Sequence, residues 1–444
     1  MDARWHPKRR LTSFQIIILG FLGVILLGAL LLMLPVSTRN GQAMPFLDAL
    51  FTSTSAVCVT GLVLHDTATT WSPFGQLVIM LLIQIGGMGV ITVAAAFALI
   101  SGRKISLMQR STMQEAISAP KVGGIVRLTS FIIRTTLLIE LLGAAAMATV
   151  FCRDFGARGL WMALFHSVSA FCNAGFDLMG VRGEFSSLTS YAAEPVINVT
   201  VMLLIIVGGI GFLTWDDMRS NRLHVHQYRM QSKVILCATG LLLLLPALYF
   251  FFFEFAALPP KERILASLFQ AVTPRTAGFN TVELTKLSEA GQCITVALML
   301  TGGSPGSTAG GMKTTTVAVL FAAAISTFQR EEYPHFFRRR IDDDVVKNAA
   351  TILLMYLTLF FFGGLIISIA EDLPMLTCLF EAASAVGTVG LTLGITPGLG
   401  TLSQLILIML MFFGRVGGLT LIFAALSGRQ KNGSKYPHEK VTVG

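Results

Sequence analysis

Four short segments of similar sequence recur along the chain, and each ends in a glycine followed by leucine or phenylalanine. They read TSTSAVCVTGL at 52–62, FHSVSAFCNAGF at 165–176, FQAVTPRTAGF at 269–279 and FEAASAVGTVGL at 380–391. The intervals between their last glycines are 114, 103 and 112 residues. A sequence repeat at a fixed period of about 110 residues indicates that one structural unit is repeated, and this constrains the fold more than any other feature. We therefore expect one structural unit in four copies, at 1–123, 124–232, 233–343 and 344–444.

The composition places these units in a membrane. Of the 444 residues, 54% are hydrophobic and only 13% are charged. Runs such as Phe14–Leu34 are long enough to cross a bilayer. That first run exceeds the core of a signal peptide and lacks a clear cleavage site after it, so we interpret it as a retained span. The six cysteines are scattered and predict neither a zinc site nor a disulfide framework.

Lysine and arginine are distributed unevenly between the two sides of the predicted membrane. Segments on one side hold 22 of these residues and segments on the other hold 8. Because cytoplasmic segments carry the excess, both termini are predicted to be cytoplasmic. The net charge of +9 then reflects topology, and nucleic-acid binding is not indicated.

Each unit has the same plan: a long apolar helix, a short semi-apolar segment ending at the glycine, and a second long helix. Segments of about 10 to 14 residues are too short to cross and suit a re-entrant half-helix. The predicted fold is an all-α polytopic membrane protein, with eight spans and four re-entrant pore helices around a central pore. The predicted second helices are Pro73–Ile100, Pro195–Phe212, about Gly291 to Phe328, and Leu402–Leu426.

The glycine motifs have the composition of a potassium filter, which replaces the hydration shell of the ion with main-chain carbonyl groups. Small or hydroxyl-bearing residues and glycines permit the unusual dihedral angles of such a segment. The half-helices before them would direct partially negative carboxyl ends at a cation. The alternative is that the glycines only permit close helix packing. The predicted filter residues are Val57, Cys58, Val59, Thr60, Gly61, Cys172, Asn173, Ala174, Gly175, Arg275, Thr276, Ala277, Gly278, Gly387, Thr388, Val389 and Gly390.

The third copy departs from the others. Serine stands six residues before the glycine in three copies, but Val272 occupies that position in the third. The third copy is also one residue shorter and carries Pro274 and Arg275. Four-fold symmetry is therefore expected to be weakest there.

The second helix of the third unit is interrupted at Thr301–Lys313, which contains five glycines and a proline. No other second helix shows an obvious break of this kind. Non-helical backbone at membrane depth must line a cavity or be buried in protein, so this loop is predicted to lie in the pore as a gate. A packing hinge is one alternative. A phosphate-binding loop is another, but Met312 stands where that motif requires lysine. The predicted gate residues are Gly302, Gly303, Ser304, Gly306, Ser307, Thr308, Gly310, Gly311, Lys313 and Arg415.

Arg415 lies within an apolar span, where a charged side chain faces a cavity or a partner. Loop carbonyl groups or acidic side chains are the expected partners, and snorkelling to the interface is the alternative. Arg134 and Glu140, also inside a span, are assigned no transport role. Asp66 and Asp177 follow filter glycines and either concentrate cations at the mouth or are solvated loop carboxylates.

The motifs TSAVCVTGL, FHSVSAFCNAGFD, RTAGFNT and SAVGTVGL, with the glycine loop and Arg415, resemble the membrane subunit of the Ktr/Trk/HKT potassium transporter superfamily, of the KtrB type. The resemblance implies four unequal repeats around one pore in the bacterial inner membrane, with the loop as gate and Arg415 as barrier and latch. It implies potassium uptake, often stimulated by sodium, with no cofactor on this chain. It also implies a homodimer that contacts membrane lipid and a cytosolic nucleotide-binding ring of KtrA-type regulators.

Two other classes of function compete with this interpretation. An alternating-access symporter for a larger solute would carry broken helices in paired repeats around a midplane pocket. An intramembrane enzyme would need a catalytic constellation, and the sequence contains no HExxH or GxSxG motif. The prediction is therefore a transporter and not an enzyme.

Overall fold

A computed structural model describes residues 12–100, 106–117, 123–222 and 224–417, with only the main chain over 96–100. The predicted end of the last span and the tail 429–444 lie outside the described residues. In chain order the helices are α1 (Ser13–Leu32), α2 (Phe46–Val57), α3 (Thr67–Thr70), α4 (Pro73–Met88), α5 (Val90–Ile100), α6 (Leu107–Ile117), α7 (Ile125–Phe155), α8 (Arg158–Phe171), α9 (Pro195–Ile210), α10 (Phe212–Asn221), α11 (Met230–Tyr249), α12 (Pro260–Val272), α13 (Glu289–Leu300), α14 (Thr314–Phe328), α15 (Asp343–Glu371), α16 (Met375–Val386) and α17 (Thr401–Val416). A two-stranded hairpin pairs β1 (His335–Phe336) with β2 (Arg339–Arg340).

Four long helices meet the length and composition of a membrane span: α1, α7, α11 with its π-helical extension to Glu254, and α15. The bent pair of α9 and α10 meets the same test as one unit. Large apolar side chains such as Leu26, Leu137, Leu244 and Phe362 are exposed along these helices. Exposed apolar surface of this extent matches a lipid environment. The chain is therefore a polytopic helical membrane protein.

Four short helices, α2, α8, α12 and α16, each end inside a glycine motif, four to six residues before its last glycine. Three of them start directly after Pro45, Pro259 or Pro374, which fixes the entry of the chain, and α12 has a second proline at its first helical position. The helices contain 12 to 14 residues, so they cannot cross a bilayer. Their last turns are buried. The sequence predicts these segments at Met44–Val57 and at about Leu160–Phe171, Lys261–Thr273 and Met375–Ala385, and each predicted end lies within one residue of the helix end.

The second helices differ from the prediction because three of the four break or end at single glycines. Helix α4 ends before Gly89, at φ +85°, and α9 ends before Gly211, at φ +102°, where the chain bends by 92° into α10. Helix α17 ends before Gly417, at φ +86°. The expectation that only the third unit has a broken helix was therefore wrong. One glycine with positive φ suffices to end a helix, and in an apolar sequence it looks like a packing residue.

Candidate ion pore

The four glycine motifs share one main-chain conformation. The residue two positions before each glycine has a positive φ: 52° at Val59, 58° at Asn173, 64° at Thr276 and 52° at Thr388. The glycines themselves have φ values of 92°, 70°, 79° and 93° in chain order. Left-handed backbone is costly for residues with a Cβ atom, so its recurrence at one position is not a coincidence of local sequence. The shorter third copy adopts this conformation as well.

The glycines form a closed ring, in which each one contacts the next unit along the chain. A Cβ atom on Gly175 would lie 2.8 Å from the carbonyl oxygen of Ala277, and one on Gly61 would collide with the carbonyl of Ala174. The same collision occurs from Gly278 toward Val389 and from Gly390 back toward Thr60. The fourth motif therefore closes on the first, and glycine is required both for its φ and for the close approach.

Hydroxyl groups behind the ring hold the motifs in place. The amide of Gly61 donates to Ser55 Oγ at 3.0 Å, and that of Gly390 donates to Ser384 Oγ at 3.0 Å. In the third copy, where valine replaces the serine, Thr273 Oγ1 donates instead to the carbonyl of Phe279 at 2.5 Å. These bonds fix three of the four motifs from outside the ring, whereas Ser169 Oγ, the equivalent hydroxyl of the second motif, has no hydrogen-bond partner among the described residues.

A second layer of polar residues, which were not predicted to take part in the pore, lies beside two of the motifs. His166 Nε2 accepts a hydrogen bond from the amide of Leu178 at 3.2 Å, and its Nδ1 donates to the carbonyl of Met162 at 2.7 Å. In the fourth copy the carboxylate of Glu381 accepts from the amide of Leu393 at 3.1 Å. Both acceptors stand 12 positions before their donors, directly after the phenylalanine that begins the motif. An alignment of the four copies could have found them, because every copy has a polar residue there.

The loop Thr301–Lys313, which joins α13 to α14, forms hydrogen bonds with carbonyl groups at the ends of the other broken helices. The amide of Ser304 donates to Gly209 at 3.0 Å and that of Thr308 donates to Gly208 at 3.2 Å, both at the end of α9. The amide of Gly311 donates to Gly414 in α17 at 3.2 Å. The broken helices and the loop therefore satisfy each other's main-chain groups, which membrane burial demands.

Arg415 and Lys313 bind main-chain oxygens beside this loop. Arg415 Nη1 donates to the carbonyl of Thr308 at 2.5 Å, and its Nη2 donates to those of Gly86 and Gly87, the latter at 3.2 Å. Lys313 Nζ donates to the carbonyl of Ala309 at 2.9 Å. Among residues 12–100, 106–117, 123–222 and 224–417, no carboxylate forms an ion pair with either cation. The carbonyl groups of α4 meet the arginine at the negative end of that helix.

A cavity of about 300 Å³ lies beside the loop, on the side where the broken helices end. Arg415 and Lys313 line it together with Ile117 and Phe212. Gly306, at φ +62°, approaches the carbonyl of Ile117 so closely that a Cβ atom would lie 2.6 Å from it. Loop residues line this cavity, whereas the predicted filter residues are absent from its lining.

Two acidic residues near the glycine motifs have different surroundings. Asp66 is buried and caps α3, accepting from the amides of Ala68 at 2.9 Å and Phe185 at 3.0 Å, so it is not a solvated carboxylate. Asp177 accepts from the amide of Met179 at 2.8 Å. Burial, with Asp66 nearby, raises the pKa of Asp177 to about 7.

Arg134 and Glu140, both in α7, are not paired with each other. Arg134 is exposed on the helix surface, whereas Glu140 is 3% exposed. The Glu140 carboxyl group accepts from Gln84 Nε2 at 3.1 Å and lies 3.9 Å from Cys172 Sγ. Glu140 therefore packs behind the second glycine motif.

A helical membrane protein with this ring and loop belongs to the class of membrane transport proteins. The sequence profile of the family described as "TrkH: Cation transport protein" matches residues 2–433. The chain belongs to this family of cation transport proteins, which confirms the resemblance noted from its motifs.

Individual relatives agree with this assignment. The chain is 39% identical to the potassium/sodium uptake protein NtpJ of Enterococcus hirae, with 98% of each chain covered. It is 38% identical to the Ktr system potassium uptake protein B of Bacillus subtilis, covering 98% of this chain and 97% of the relative. The crystal structure of the potassium transporter TrkH from Vibrio parahaemolyticus superposes with a TM-score of 0.74 at 20% identity, covering 95% of this chain and 86% of that one. These relatives are described as transport proteins and not as enzymes.

Proposed function

We propose that this chain is the potassium-translocating membrane subunit of a bacterial potassium uptake system. The observation that carries the proposal is the closed ring of four motifs, each with a left-handed residue two positions before a left-handed glycine. Such a ring presents main-chain oxygens to an ion that has lost its water, as a potassium filter does. Two relatives that cover nearly the whole chain are named as potassium uptake proteins.

The proposed architecture has eight spans and four re-entrant pore helices. The spans are α1, α4 with α5, α7, α9 with α10, α11, α13 with α14, α15 and α17. The pore helices α2, α8, α12 and α16 place their carboxyl ends at the ring, and these partially negative ends favour a cation. Potassium enters from the outer side, dehydrates on the ring and then meets the loop Thr301–Lys313.

The loop and Arg415 are proposed to oppose onward passage. The guanidinium group of Arg415 is a fixed positive charge bound to the carbonyl of Thr308 in the loop, so it repels the ion and also holds the loop in place. Opening requires the loop to leave α9 and α17. A homodimer, a KtrA-type nucleotide-binding ring and sodium activation complete the proposed system, with both termini in the cytoplasm.

An alternating-access symporter remains the second candidate because the helix breaks at Gly89 and Gly211 occur in paired units, as that mechanism requires. The loop, however, is held by main-chain hydrogen bonds to Gly208 and Gly209 at the end of α9. Neighbouring motifs of the glycine ring also contact each other directly, so no gap for a larger solute lies between adjacent motifs. The channel-like mechanism is therefore preferred.

Growth of potassium-auxotrophic cells tests the proposal. Cells that express this chain with its regulator should grow at potassium concentrations that do not support the empty-vector strain, and should accumulate rubidium as a potassium analogue. Tagged protein in the membrane fraction controls for expression. Well-inserted protein that fails to rescue growth in the presence of the regulator would contradict potassium uptake. Saturable uptake of an organic solute would instead favour the symporter.

Asp177 should make potassium binding depend on pH. As the pH falls through about 7, its carboxyl group gains a proton and the negative charge beside Gly175 is lost. We expect the apparent affinity for potassium to weaken by about two- to five-fold between pH 8 and pH 6, because less cation is concentrated at the mouth. Rubidium uptake at graded potassium concentrations measures this change.

The matched variant is Asp177→Asn, which should show the weaker affinity at both pH values. Unfolding does not explain the expected loss in acid. The folded pKa of about 7 exceeds the ordinary value of 3.8, so between these pH values only the folded chain holds this proton. The folding stability from this group is therefore greatest in acid and falls as the pH rises toward 7. An Asp177→Asn protein with the same pH dependence as the original would show that another group is responsible.

A further inference from the structure

One side-chain pair joins the intramembrane loop directly to the glycine ring. The hydroxyl of Thr308 in the loop lies 3.1 Å from Oδ1 of Asn173 in the second motif and 3.0 Å from the carbonyl oxygen of Phe171. Both side chains are fully buried. A hydroxyl proton shared between two acceptors at these distances makes a bonded contact between a candidate gate and a candidate filter.

The other end of the Asn173 amide reaches the third motif. Its Nδ2 lies 3.1 Å from the carbonyl oxygen of Arg275 and 3.5 Å from that of Ile205. Carbonyl oxygens only accept hydrogen bonds, so the amide nitrogen must face them and the amide oxygen must face the Thr308 hydroxyl. The orientation of Asn173 is therefore fixed by its partners. One side chain connects the loop, the second motif and the third motif.

The contact between Thr308 and Asn173 depends on a glycine in the neighbouring helix α9. A Cβ atom on Gly208 of α9 would lie 2.8 Å from Thr308 Oγ1 and 2.9 Å from Asn173 Oδ1. Glycine at this position leaves the space in which the two polar groups meet. The amide of Thr308 is anchored on the same residue, at 3.2 Å from its carbonyl oxygen. The loop residue is thus held by its main chain while its side chain contacts the ring.

The equivalent positions of the other motifs make no such bonds. Val59 has no polar side-chain atom, and the buried hydroxyl groups of Thr276 and Thr388 have no hydrogen-bond partner in the part of the chain that the structure describes. Asparagine is also favoured at this position for a simpler reason, because it tolerates a left-handed conformation. Any test must therefore separate the backbone preference of Asn173 from its bonds.

We propose that Asn173 is a positioning residue that couples the loop to the ion-selective ring, so that the position of Thr308 affects which ion the ring prefers. This inference rests on the proposed function. Its physical basis is that the carbonyl of Arg275 is held by Asn173, and Asn173 is held by Thr308. When the loop moves away, Asn173 loses its bond to Thr308 and no longer holds the carbonyl of Arg275 in one position. The ring then adapts more easily to a smaller ion.

Thr308→Val and Asn173→Gly, alone and combined, test the coupling. Valine removes the hydroxyl of Thr308 at nearly equal volume, and glycine keeps the left-handed backbone of Asn173 while removing the amide. Each single variant should lower the preference for potassium over sodium by about 2- to 10-fold, the range of one net hydrogen bond. The double variant should show no further loss, because the two residues act through one contact. Competition between potassium and sodium for rubidium uptake measures the preference.

Two further variants serve as comparisons. Thr308→Ser keeps the hydroxyl and should therefore retain most of the preference for potassium over sodium. Thr239→Val makes the same substitution at a buried hydroxyl of α11 that has no hydrogen-bond partner among the described residues, and should leave the preference unchanged. A loop residue that only obstructs the pore would change the maximal rate without changing the ratio between ions, so the ratio is the informative measurement.

The outcomes separate this inference from the proposed function. If the unmodified protein takes up no potassium, the proposed function fails. If it does, and Thr308→Val or Asn173→Gly leaves the potassium-to-sodium preference unchanged, the coupling is refuted. Independent losses that multiply in the double variant would also refute it, since two separate contributions need no bond between the residues.

Discussion

Replacing Gly278 by alanine should weaken the apparent potassium affinity at least ten-fold or abolish uptake altogether. The glycine has φ +79°, which costs alanine about 1–2 kcal/mol. Its new Cβ atom would collide with the carbonyl oxygen of Val389 and lie 3.2 Å from the Cα atoms of Gly175 and Gly390. Overpacking of this kind adds about 1–3 kcal/mol. Because the contact joins two motifs of the ring, we expect this cost to appear in ion binding.

Gly41→Ala provides the matched control for this prediction. Gly41 also has a positive φ, +69°, but no heavy atom lies within 4 Å of the position its Cβ atom would take. It therefore carries the backbone cost without the collision. Rubidium uptake should stay within about two-fold of the unmodified protein in Gly41→Ala. Gly278→Ala protein that inserts normally and retains the original potassium dependence would remove the ring from the proposed mechanism.

The four short helices were predictable because their signals are local and recur along the chain. Pro45, Pro259 and Pro374 mark helix starts, and the glycines recur at matched positions after them. The breaks at Gly89 and Gly211 were not predictable in the same way. The sequence does not distinguish a glycine that packs against a neighbouring helix from one that adopts a positive φ and ends its own helix. Tertiary contacts decide between the two.

Contacts between residues far apart in the chain could not be predicted from the sequence either. Thr308 and Asn173 are 135 residues apart, and His166 and Leu178 meet only because the motif folds back on its own helix. Both candidate gate and candidate filter could be named from composition. Their connection could not, since it depends on the direction of one amide group and on the space beside Gly208. Pairing information of this kind exists only after the chain has packed.

Replacing Arg415 by glutamine should raise the maximal rate of potassium uptake at least five-fold. The guanidinium group lines the cavity beside the loop and binds the carbonyl oxygen of Thr308. At about 6 Å from a potassium ion and an effective dielectric constant of about 20, a fixed positive charge costs about 3 kcal/mol. That energy corresponds to as much as about 100-fold in rate where this step limits transport. Glutamine removes the charge while retaining a hydrogen-bond donor for the carbonyl groups.

Arg134→Gln makes the same change at an arginine of α7 that is exposed on the helix surface, so it should leave the maximal rate unchanged. Arg415→Lys keeps the charge but loses the planar pair of donors that joins Thr308 to Gly87, so it should release the loop without removing the barrier. Its rate should therefore fall between those of the unmodified protein and the glutamine variant. An equal or lower maximal rate in well-inserted Arg415→Gln would mean that the arginine supports the pore structurally, because the loss of its charge would then bring no gain in flux.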